Sequence, residues 1–338
     1  MITTRYYYER LNQREKKIYK AIYDGIMQFK DSVEVPGVDL HERTVGWIYH
    51  CVLWDNPFIF SVGEYAMWHA LDADKRRIKM TVLCDSHSEK VYRKELEDAV
   101  NQILSSPKLR TMTDFQKEVF VHDFIINNVE YDRTLGNNGS RIEPYTAYGA
   151  LVQKKAVCEG IAKATKLLLN LLDVKCIVVS GKYEGNGHAW NIVKIDDWEY
   201  NLDVTMDMGR VVHKGFMRYN YFNFRDEDMS YYEPDNPSSV PKCTAIGNSY
   251  MVKAGGLVSS YERLKVYIEN GLKKKRKVLY FKVNRNVDEE YSSISFSDFQ
   301  NEINKAYSEV ANRLRINTSR FVDSTGPNEI VSVEITYI

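Results

Sequence analysis

The stretch KKAVCEGIAKATKLLLNLLD, residues 154–173, carries an apolar stripe at helical spacing that begins just after a cysteine. Apolar residues from Ile161 to Leu172 recur at steps of three and four, as expected of a helix with one buried face. Cys158 stands where this helix begins, and Gly160 keeps its first turn uncrowded. A thiol at a helix N-terminus faces free backbone N–H groups and the positive end of the helix dipole, which favours the thiolate. The alternative is that Cys158 is a small buried apolar residue.

The segment that follows this helix predicts a set of antiparallel strands. The run CIVVS at 176–180 has the β-branched composition of a buried strand. The runs HAWNIVKI at 188–195 and WEYNLD at 198–203 are separated only by Asp196 and Asp197. Two strands joined by a two-residue turn are typical of an antiparallel hairpin.

Three residues of this block have the chemistry of a thiol nucleophile with its base. Cys158 lies at a helix start, His188 at a strand start and Asp203 at the end of the next strand. Catalysis by a thiol needs a base within hydrogen-bond reach and a third group that orients the base. Neighbouring strands of a hairpin can place His188 and Asp203 side by side, and a helix packed across that face can bring the sulfur to the imidazole. Each residue alone is also compatible with a structural role. Asp207 is a second acid nearby, but it lies beyond the strand and is the weaker choice, and Glu159 suits a first-turn acid that stabilises the helix.

The motifs AVCEGIAKATKLLLN, GHAWNIVKI and YNLDVTMD, with YTAYGALV upstream, resemble the motifs of the transglutaminase-like superfamily, the microbial branch of the papain-like cysteine enzymes. The resemblance covers about residues 113 to 209. It implies an α+β fold, with the cysteine helix packed on an antiparallel sheet. It also implies that Cys158 is the nucleophile, His188 the base and Asp203 the orienting acid. Met206 departs from the pattern, since many relatives carry an aromatic residue there.

The resemblance further implies acyl-transfer chemistry on protein or peptide amides through a thioester, as in a thiol protease or a transglutaminase. The backbone N–H of Cys158 is one candidate to stabilise the oxyanion. The side chain of Gln153 is another, because papain-like enzymes use a glutamine ahead of the cysteine. Tyr148 and Trp190 are candidates for the walls of the substrate cleft, although each is also a plausible core residue. The alternative function is a catalytically inert scaffold of this fold that holds a protein partner with its flanking segments.

The length of 338 residues predicts two or three domains. Residues 107–245 are expected to form the catalytic core, between an N-terminal α+β segment (1–106) and a C-terminal α+β segment (246–338). A strand followed by a helix near residues 78–104 recurs near residues 278–314, so we expect the two ends of the chain to share one sheet and one domain.

Local signals place further elements along the chain. Asn12 with Glu15 resembles a capping box that opens a helix through about Phe29. A cap at Thr113 or Asp114 starts the second block. Other predicted elements are strands at 33–35, 78–84, 278–283 and 330–338, helices at 41–53, 89–104, 261–270 and 296–314, and a linker at about 232–241.

Composition and charge exclude several classes of protein. Lys and Arg together number 46, as do Asp and Glu, so no net charge favours nucleic acid. The basic run KKKRK at 273–277 is short, lies outside any known binding motif and is interpreted as a solvated loop. The sequence contains no run of about 18 apolar residues, so no membrane span is expected.

The cysteines argue against a metal site and for a reducing compartment. They are Cys51, Cys84, Cys158, Cys176 and Cys243. They form no CxxC pair and no Cys/His cluster at zinc spacing, so we expect no metal and no cofactor. Their odd number and wide spacing suit a reduced compartment, and the N-terminus lacks the apolar core of a signal peptide, so a cytoplasmic location is expected.

Overall fold

The structure is a computed structural model that describes residues 4–36, 41–70, 75–136, 143–208, 219–228, 231–284, 289–323 and 330–338. The α-helices are α1 (Tyr6–Arg10), α2 (Gln13–Met27), α3 (Glu42–Asp55), α4 (Ser86–Ile103), α5 (Asp114–Asn128), α6 (Ala147–Leu151), α7 (Cys158–Leu171), α8 (Val204–Met208), α9 (Tyr250–Ala254), α10 (Tyr261–Lys273) and α11 (Phe296–Leu314). The strands are β1 (Ser32–Pro36), β2 (Val62–Ala70), β3 (Lys75–Val82), β4 (Glu130–Tyr131), β5 (Lys155–Ala156), β6 (Cys176–Tyr183), β7 (Asn186–Ile195), β8 (Trp198–Leu202), β9 (Phe222–Phe224), β10 (Tyr232–Pro234), β11 (Leu257–Val258), β12 (Val278–Val283), β13 (Thr318–Asp323) and β14 (Val331–Tyr337).

Local capping signals set several helix starts where the sequence predicts them. The Asn12 side chain accepts from the backbone of Glu15, whose carboxylate accepts from the backbone of Asn12, and α2 begins at the next residue. Thr113 and Gln116 form the same reciprocal cap at the start of α5. These helix starts, and the start of α7 at Cys158, are confirmed.

An antiparallel sheet of five strands in the order β10-β6-β7-β8-β9 forms the centre of the molecule. The predicted hairpin is confirmed, since β7 pairs with β8 through Ile195 and Trp198 around the two-residue turn. The segment predicted as a linker contains β10, which pairs with the edge of β6 through Tyr232 and Tyr183. A strand of three residues that contains proline has too little periodicity to be recognised in the sequence, which explains this error.

The expectation that the two ends of the chain share one sheet is wrong. β3 is the middle strand of an N-terminal sheet ordered β1-β3-β2, and β12 lies inside a C-terminal sheet ordered β11-β12-β14-β13. Each of the two strands therefore has both of its edges paired within its own sheet, and neither has an edge left for the other.

The apolar core of the N-terminal segment is continuous with that of the central block, whereas the sequence predicts a domain shared by the N- and C-terminal segments. One large cluster joins the N-terminal helices and sheet to α7 and to the inner face of the central sheet. A second cluster belongs to the C-terminal segment, where α10 and α11 cover the four-stranded sheet. The N-terminal segment is also tied directly to the central sheet, because the hydroxyl of Tyr7 donates to the carbonyl of Val178 at 2.6 Å. The N-terminal segment thus packs against the central sheet and α7 in one apolar core.

Helix α7 is buried along most of its length between α5, α6 and the sheet. Its apolar stripe is confirmed, but two lysines are buried with it, which the stripe does not predict. Lys163 pairs with Glu159 one turn away at 3.0 Å. Lys166 donates to the carbonyl of Thr4 at 2.9 Å, and so fastens the N-terminal segment to this helix. Within the described ranges, no helix is both long and apolar enough to cross a membrane.

Candidate active site

The start of α7 presents Cys158 without the cap that the other long helices have. Val157 occupies the N-cap position in an extended conformation and has no side-chain hydrogen bond to the first turn. All other described α-helices of ten or more residues carry a side-chain cap. Since valine cannot accept a hydrogen bond, the backbone N–H groups of the first turn keep their capacity to bind an anion. Cys158 is partly exposed, whereas Cys51, Cys176 and Cys243 are buried.

His188 lies between Asp203 and Cys158. Its Nε2 is 2.6 Å from Oδ2 of Asp203, and the His188 side chain is also hydrogen-bonded to Cys158. The side chains of His188 and Asp203 are 9% and 1% exposed. Burial acts to lower the pKa of His188, but the charge of Asp203 and the hydrogen bonds with Asp203 and Cys158 outweigh it and raise that pKa to about 10. The structure therefore brings the three predicted residues into one chain of contacts with a protonated imidazole at its centre.

Both oxygens of the Asp203 carboxylate are held by further donors. The hydroxyl of Tyr232 donates to Oδ2 at 2.8 Å, and the backbone N–H of Met206 donates to Oδ1 at 3.0 Å. Burial and the neighbouring carboxylate raise the pKa of Tyr232 well above its usual range, so its hydroxyl stays a donor. Sequence reasoning missed Tyr232, which lies in the segment predicted as a linker. No local signal connects it with an aspartate 29 residues earlier.

Trp190 packs against the imidazole of His188. Its ring stacks on His188 with centroids 6.2 Å apart and an interplanar angle of 16°, and its Nε1 donates to Oδ1 of Asn201 at 3.2 Å. The side chain is buried, and it borders a cavity of about 150 Å³ whose walls also include Tyr232 and Pro234. Trp190 thus packs against the ring of His188 and also borders a small cavity.

Tyr148 and Gln153 lie apart from the triad in the described structure. The hydroxyl of Tyr148 donates to Glu95 at 2.6 Å, and its ring borders a cavity of about 390 Å³ together with Phe60 and Tyr92. Gln153 donates its backbone N–H to the carbonyl of Tyr148, and no described contact joins it to Cys158. Closer to the triad candidates, the pKa of Tyr131 is raised by burial and by the charge of Cys158.

Asp207 belongs to a second histidine–carboxylate network beneath the site. Nε2 of His122 is 3.1 Å from Oδ2 of Asp207, and Nδ1 is 2.9 Å from Oδ1 of Asp123. His122 is fully buried, and burial acts to lower its pKa, but the two carboxylates raise that pKa to about 9. Burial raises the pKa of Asp207 to about 6, against the opposing effect of His122. Between these two values the buried pair is ionic.

This network reaches the backbone of the triad acid. Oδ1 of Asp207 accepts from the backbone N–H groups of Asn220 and Tyr221, at 3.0 and 3.1 Å. The carbonyl of Tyr221 in turn accepts from the N–H of Asp203 at 2.8 Å. The pair of His122 and Asp207 therefore fixes the strand segment that positions Asp203.

A further acid, Glu118, is buried beside the same network. Its Oε2 accepts from the amide of Asn223 at 2.8 Å, while its Oε1 has no hydrogen-bond partner. Burial raises the pKa of Glu118 to about 8, although the hydrogen bond from Asn223 and the charge of His122 act to lower it. The side chain is held neutral at physiological pH.

No cluster of three or more His, Cys, Asp or Glu side chains in the described ranges is arranged to hold a metal ion.

Comparison with known proteins gives a family match for the central block and partial overlaps with solved structures. A search of curated proteins gives no match. A crystal structure of a TGase has 15% identity and a TM-score of 0.31, over 55% of this chain and 53% of that one. A candidate cysteine protease from Cytophaga hutchinsonii has 15% identity and a TM-score of 0.27, over 42% and 61%. A candidate protease from Parabacteroides distasonis has 12% identity and a TM-score of 0.23, over 42% and 35%. This chain thus spans less than two thirds of each of these proteins.

The family match coincides with the segment that carries the triad candidates. Residues 104–203 match the model of the transglutaminase-like superfamily, and this range includes α7 and the β6–β8 strands. The resemblance predicted from the motifs is therefore confirmed over this segment, and the described chain has a mixed α+β fold.

Proposed function

We propose that this protein is a cysteine-dependent acyl-transfer enzyme that acts on protein or peptide amides. The observation that carries the proposal is the position of His188, which is hydrogen-bonded to Cys158 on one side and to Asp203 on the other. Nucleophile, base and orienting acid in this order are the requirements of thiol catalysis. The transglutaminase-like match over residues 104–203 supports the same chemistry.

In the first half of the reaction, the sulfur of Cys158 attacks the carbonyl carbon of the amide, and the C=O electron pair moves onto oxygen. The resulting oxyanion is stabilised by the backbone N–H of Cys158, which the uncapped start of α7 leaves free of a side-chain acceptor. The imidazolium of His188 then donates its proton to the amide nitrogen, the C–N bond breaks, and a thioester remains on Cys158. Asp203 holds the ring in place through this transfer.

In the second half, water or a primary amine attacks the thioester carbon. Neutral His188 takes the proton of the attacking group, and the thiolate of Cys158 leaves. Water gives a carboxylate and an amine gives a new amide. Protease and transglutaminase activity thus differ only in which acceptor reaches the thioester.

The flanking segments frame this reaction in the proposal. We propose residues 107–245 as the catalytic unit, with residues 1–106 and 246–338 as accessory segments. The shared apolar core supports a structural role for the N-terminal segment in holding α7. The separate core of the C-terminal segment suits a role in recognition of a protein or peptide substrate.

The test is incubation of the protein with a peptide library, with and without an added primary amine, followed by mass spectrometry. Cleaved peptides indicate hydrolysis, and peptides that gain the mass of the amine minus ammonia or a leaving amine indicate transfer. Cys158→Ala should abolish both, whereas Cys84→Ala, which changes another partly exposed cysteine, should abolish neither. An unchanged library would favour the inert scaffold instead, and turnover that survives Cys158→Ala would contradict the role proposed for Cys158.

A further inference from the structure

A cavity of about 420 Å³ lies where the C-terminal segment meets α5, and its walls are aromatic and cationic. The rings of Phe115, Tyr250 and Tyr267 form much of the wall, and the charges come from Lys253, Arg276 and Lys277. No Asp or Glu is among the described residues that border it. The cavity is separate from the triad, since none of its bordering residues is a member of that site.

Arg276 is held in this cavity by neutral groups. Its Nη1 donates to the carbonyl of Ala254 at 3.2 Å, and its guanidinium carbon is 6.0 Å from the centroid of the Tyr267 ring. Its own carbonyl accepts from the hydroxyl of Tyr337 at 3.0 Å, which fixes the backbone. Arg225 differs, because its guanidinium donates to both carboxylate oxygens of Asp228 at 3.1 and 3.2 Å. The positive charge of Arg276 is thus ordered without a described carboxylate to neutralise it.

Two lysines add to this charge. Lys253 and Lys277 are exposed at the cavity, and Lys253 lies over the ring of Phe115 at 5.6 Å. In the described part of the chain, neither forms an ion pair. Lys273, at the other end of the same basic run, is instead paired with Glu269 at 2.6 Å and does not border the cavity. The basic run therefore divides into a neutralised end and an end that faces a cavity.

We propose that this cavity binds a small phosphate-bearing molecule, a function beyond the proposed acyl transfer. A guanidinium presents a fork of donors that matches phosphate oxygens, and lysines act on phosphate as point charges. Apolar ring walls lower the local dielectric and so strengthen the attraction to an anion. The volume lies within the range of about 300–1,000 Å³ that small-molecule sites have. The three cations converge on one concave space, whereas a nucleic-acid surface would need a basic stripe.

The test uses titration calorimetry of the full chain with inorganic pyrophosphate, ATP, citrate and adenosine. Pyrophosphate and ATP should bind, with affinity that falls as salt rises, and should raise the melting temperature. Adenosine should not bind, and citrate should bind at least tenfold more weakly if phosphate geometry is recognised. Tighter binding of ATP than of pyrophosphate would assign a role to the aromatic wall.

Variants separate the site from general charge effects. Arg276→Ala should weaken pyrophosphate binding by about 10- to 100-fold, the equivalent of one hydrogen-bonded charge. Arg276→Lys should recover only part of the loss. The double change Lys253→Ala with Lys277→Ala alters only exposed side chains, so it tests the site even if Arg276→Ala lowers stability. Lys273→Ala should leave binding unchanged. No binding of pyrophosphate to the wild type at millimolar concentration, or equal binding by the double variant, would overturn the proposal.

Discussion

Two histidine–aspartate pairs are buried in the described part of the molecule, and their acids lie four residues apart in the chain. In each pair Nε2 of the histidine meets Oδ2 of the aspartate, at 2.6 Å between His188 and Asp203 and at 3.1 Å between His122 and Asp207. In each pair the carboxylates raise the pKa of the histidine, to about 10 and about 9. The pairs differ in the second hydrogen-bond partner of the histidine. His122 meets another carboxylate, while His188 has Cys158 as its other hydrogen-bond partner.

This difference separates a structural pair from a candidate catalytic one. A raised histidine pKa alone does not identify an active site, because an ion-pair network raises it as well. The second partner of the histidine, and the exposure of the histidine to solvent, distinguish an active site better than the pKa does. The His122 side chain is 0% exposed, whereas that of His188 is 9% exposed and adjoins a partly exposed thiol. Substitutions can distinguish the two pairs, because a change in the His188 pair should lower turnover and a change in the His122 pair should lower stability.

The largest effect is expected from His188→Ala. Removal of the base should lower turnover by at least about 10³-fold, since positioned acid–base catalysis supplies about 10²–10⁴-fold and the triad acts as a unit. Stability should fall as well, because the buried carboxylate of Asp203 loses its charged partner, so turnover is measured well below the melting temperature of the variant. The measurement is kcat on the best peptide from the library, beside a thermal melt. A drop in kcat of less than tenfold would contradict the proposal that His188 is the catalytic base.

Asp207→Asn should act on stability. Loss of one partner of a buried charge pair typically costs about 3–5 kcal/mol, and this change leaves His122 with Asp123 alone. Urea denaturation should show this loss in the free energy of unfolding, and the matched change Asp197→Asn, in an exposed turn, should stay within about 0.5 kcal/mol. If the unfolding free energy of Asp207→Asn equals that of Asp197→Asn, the buried network is not a structural unit.

Glu118→Gln should stabilise the protein at alkaline pH. Because the folded pKa of Glu118 is about 8 against an ordinary 4.5, the folded state holds a proton that the unfolded chain has lost, and stability falls as pH rises between these values. The amide removes this cost, so the variant should gain a few kcal/mol, roughly, near pH 8 and nothing near pH 4. Denaturation across pH 4 to 9 measures it, with Glu130→Gln as an exposed control.

The histidines give stability the same dependence on pH. Their folded pKa values lie above the ordinary 6.5, so their contribution is complete below that pH and is lost as pH rises through about 9 for His122 and about 10 for His188. An alkaline loss of stability that persists in Glu118→Gln is expected from the two pairs, together with the buried thiols of Cys176 and Cys243, whose pKa is raised by burial. A variant that loses stability with pH as steeply as the wild type between pH 5 and 8 would contradict the assignment to Glu118.

Thiol labelling sharpens the comparison on the side of His188. Limited iodoacetamide labelling with peptide mapping, from pH 5 to 8, should modify Cys158 first among the five cysteines. Burial raises the pKa of Cys176 and Cys243 and limits access to them, and the pKa of partly exposed Cys84 is raised by burial and by its acidic neighbours. His188→Ala should slow labelling of Cys158 at pH 6 by about tenfold, because the imidazole that is hydrogen-bonded to its side chain is gone. Equal labelling of Cys84 and Cys158 would make Cys158 structural.

The smallest effect is expected from Tyr232→Phe. The change removes one hydrogen bond to Asp203, which contributes about 1 kcal/mol, so kcat should fall by less than tenfold with KM unchanged. The matched control is Tyr231→Phe, whose side chain is 58% exposed. A rise in KM that exceeds the fall in kcat would indicate that Tyr232 contacts substrate instead of positioning the acid.

Sequence predicts the elements of the core well because their signals are local. The capping box at Asn12, the apolar stripe of α7 and the two-residue turn between β7 and β8 each depend on neighbours within a few residues. The strand β2 (Val62–Ala70) was not predicted, because its sequence VGEYAMWHA mixes glycine, glutamate and histidine and lacks a regular alternation. The pairing of the flanking strands also depends on long-range contacts that no local pattern encodes.

The candidate site divides in the same way. Cys158, His188 and Asp203 could be proposed from motif and element order alone. Tyr232 and His122 could not, because their partners Asp203 and Asp207 lie 29 and 85 residues away and neither residue carries a local signature. The proposal of Tyr148 as a cleft residue could not foresee its partner, since α6 brings its hydroxyl to Glu95, 53 residues earlier in the chain.

Val157, which precedes α7, is a position where selection for stability and selection for turnover should favour different residues. A serine or aspartate at position 157 would supply the missing cap and add about 1 kcal/mol of helix stability. In the proposed mechanism it would also place an acceptor oxygen next to the Cys158 N–H that stabilises the oxyanion. A library sorted only for thermal resistance would therefore enrich this change and lose turnover with it, whereas a library sorted for turnover would retain Val157. Laboratory evolution that alternates selection for stability with selection for turnover should therefore show opposite preferences at position 157. The valine found there is the residue that the proposed catalysis favours.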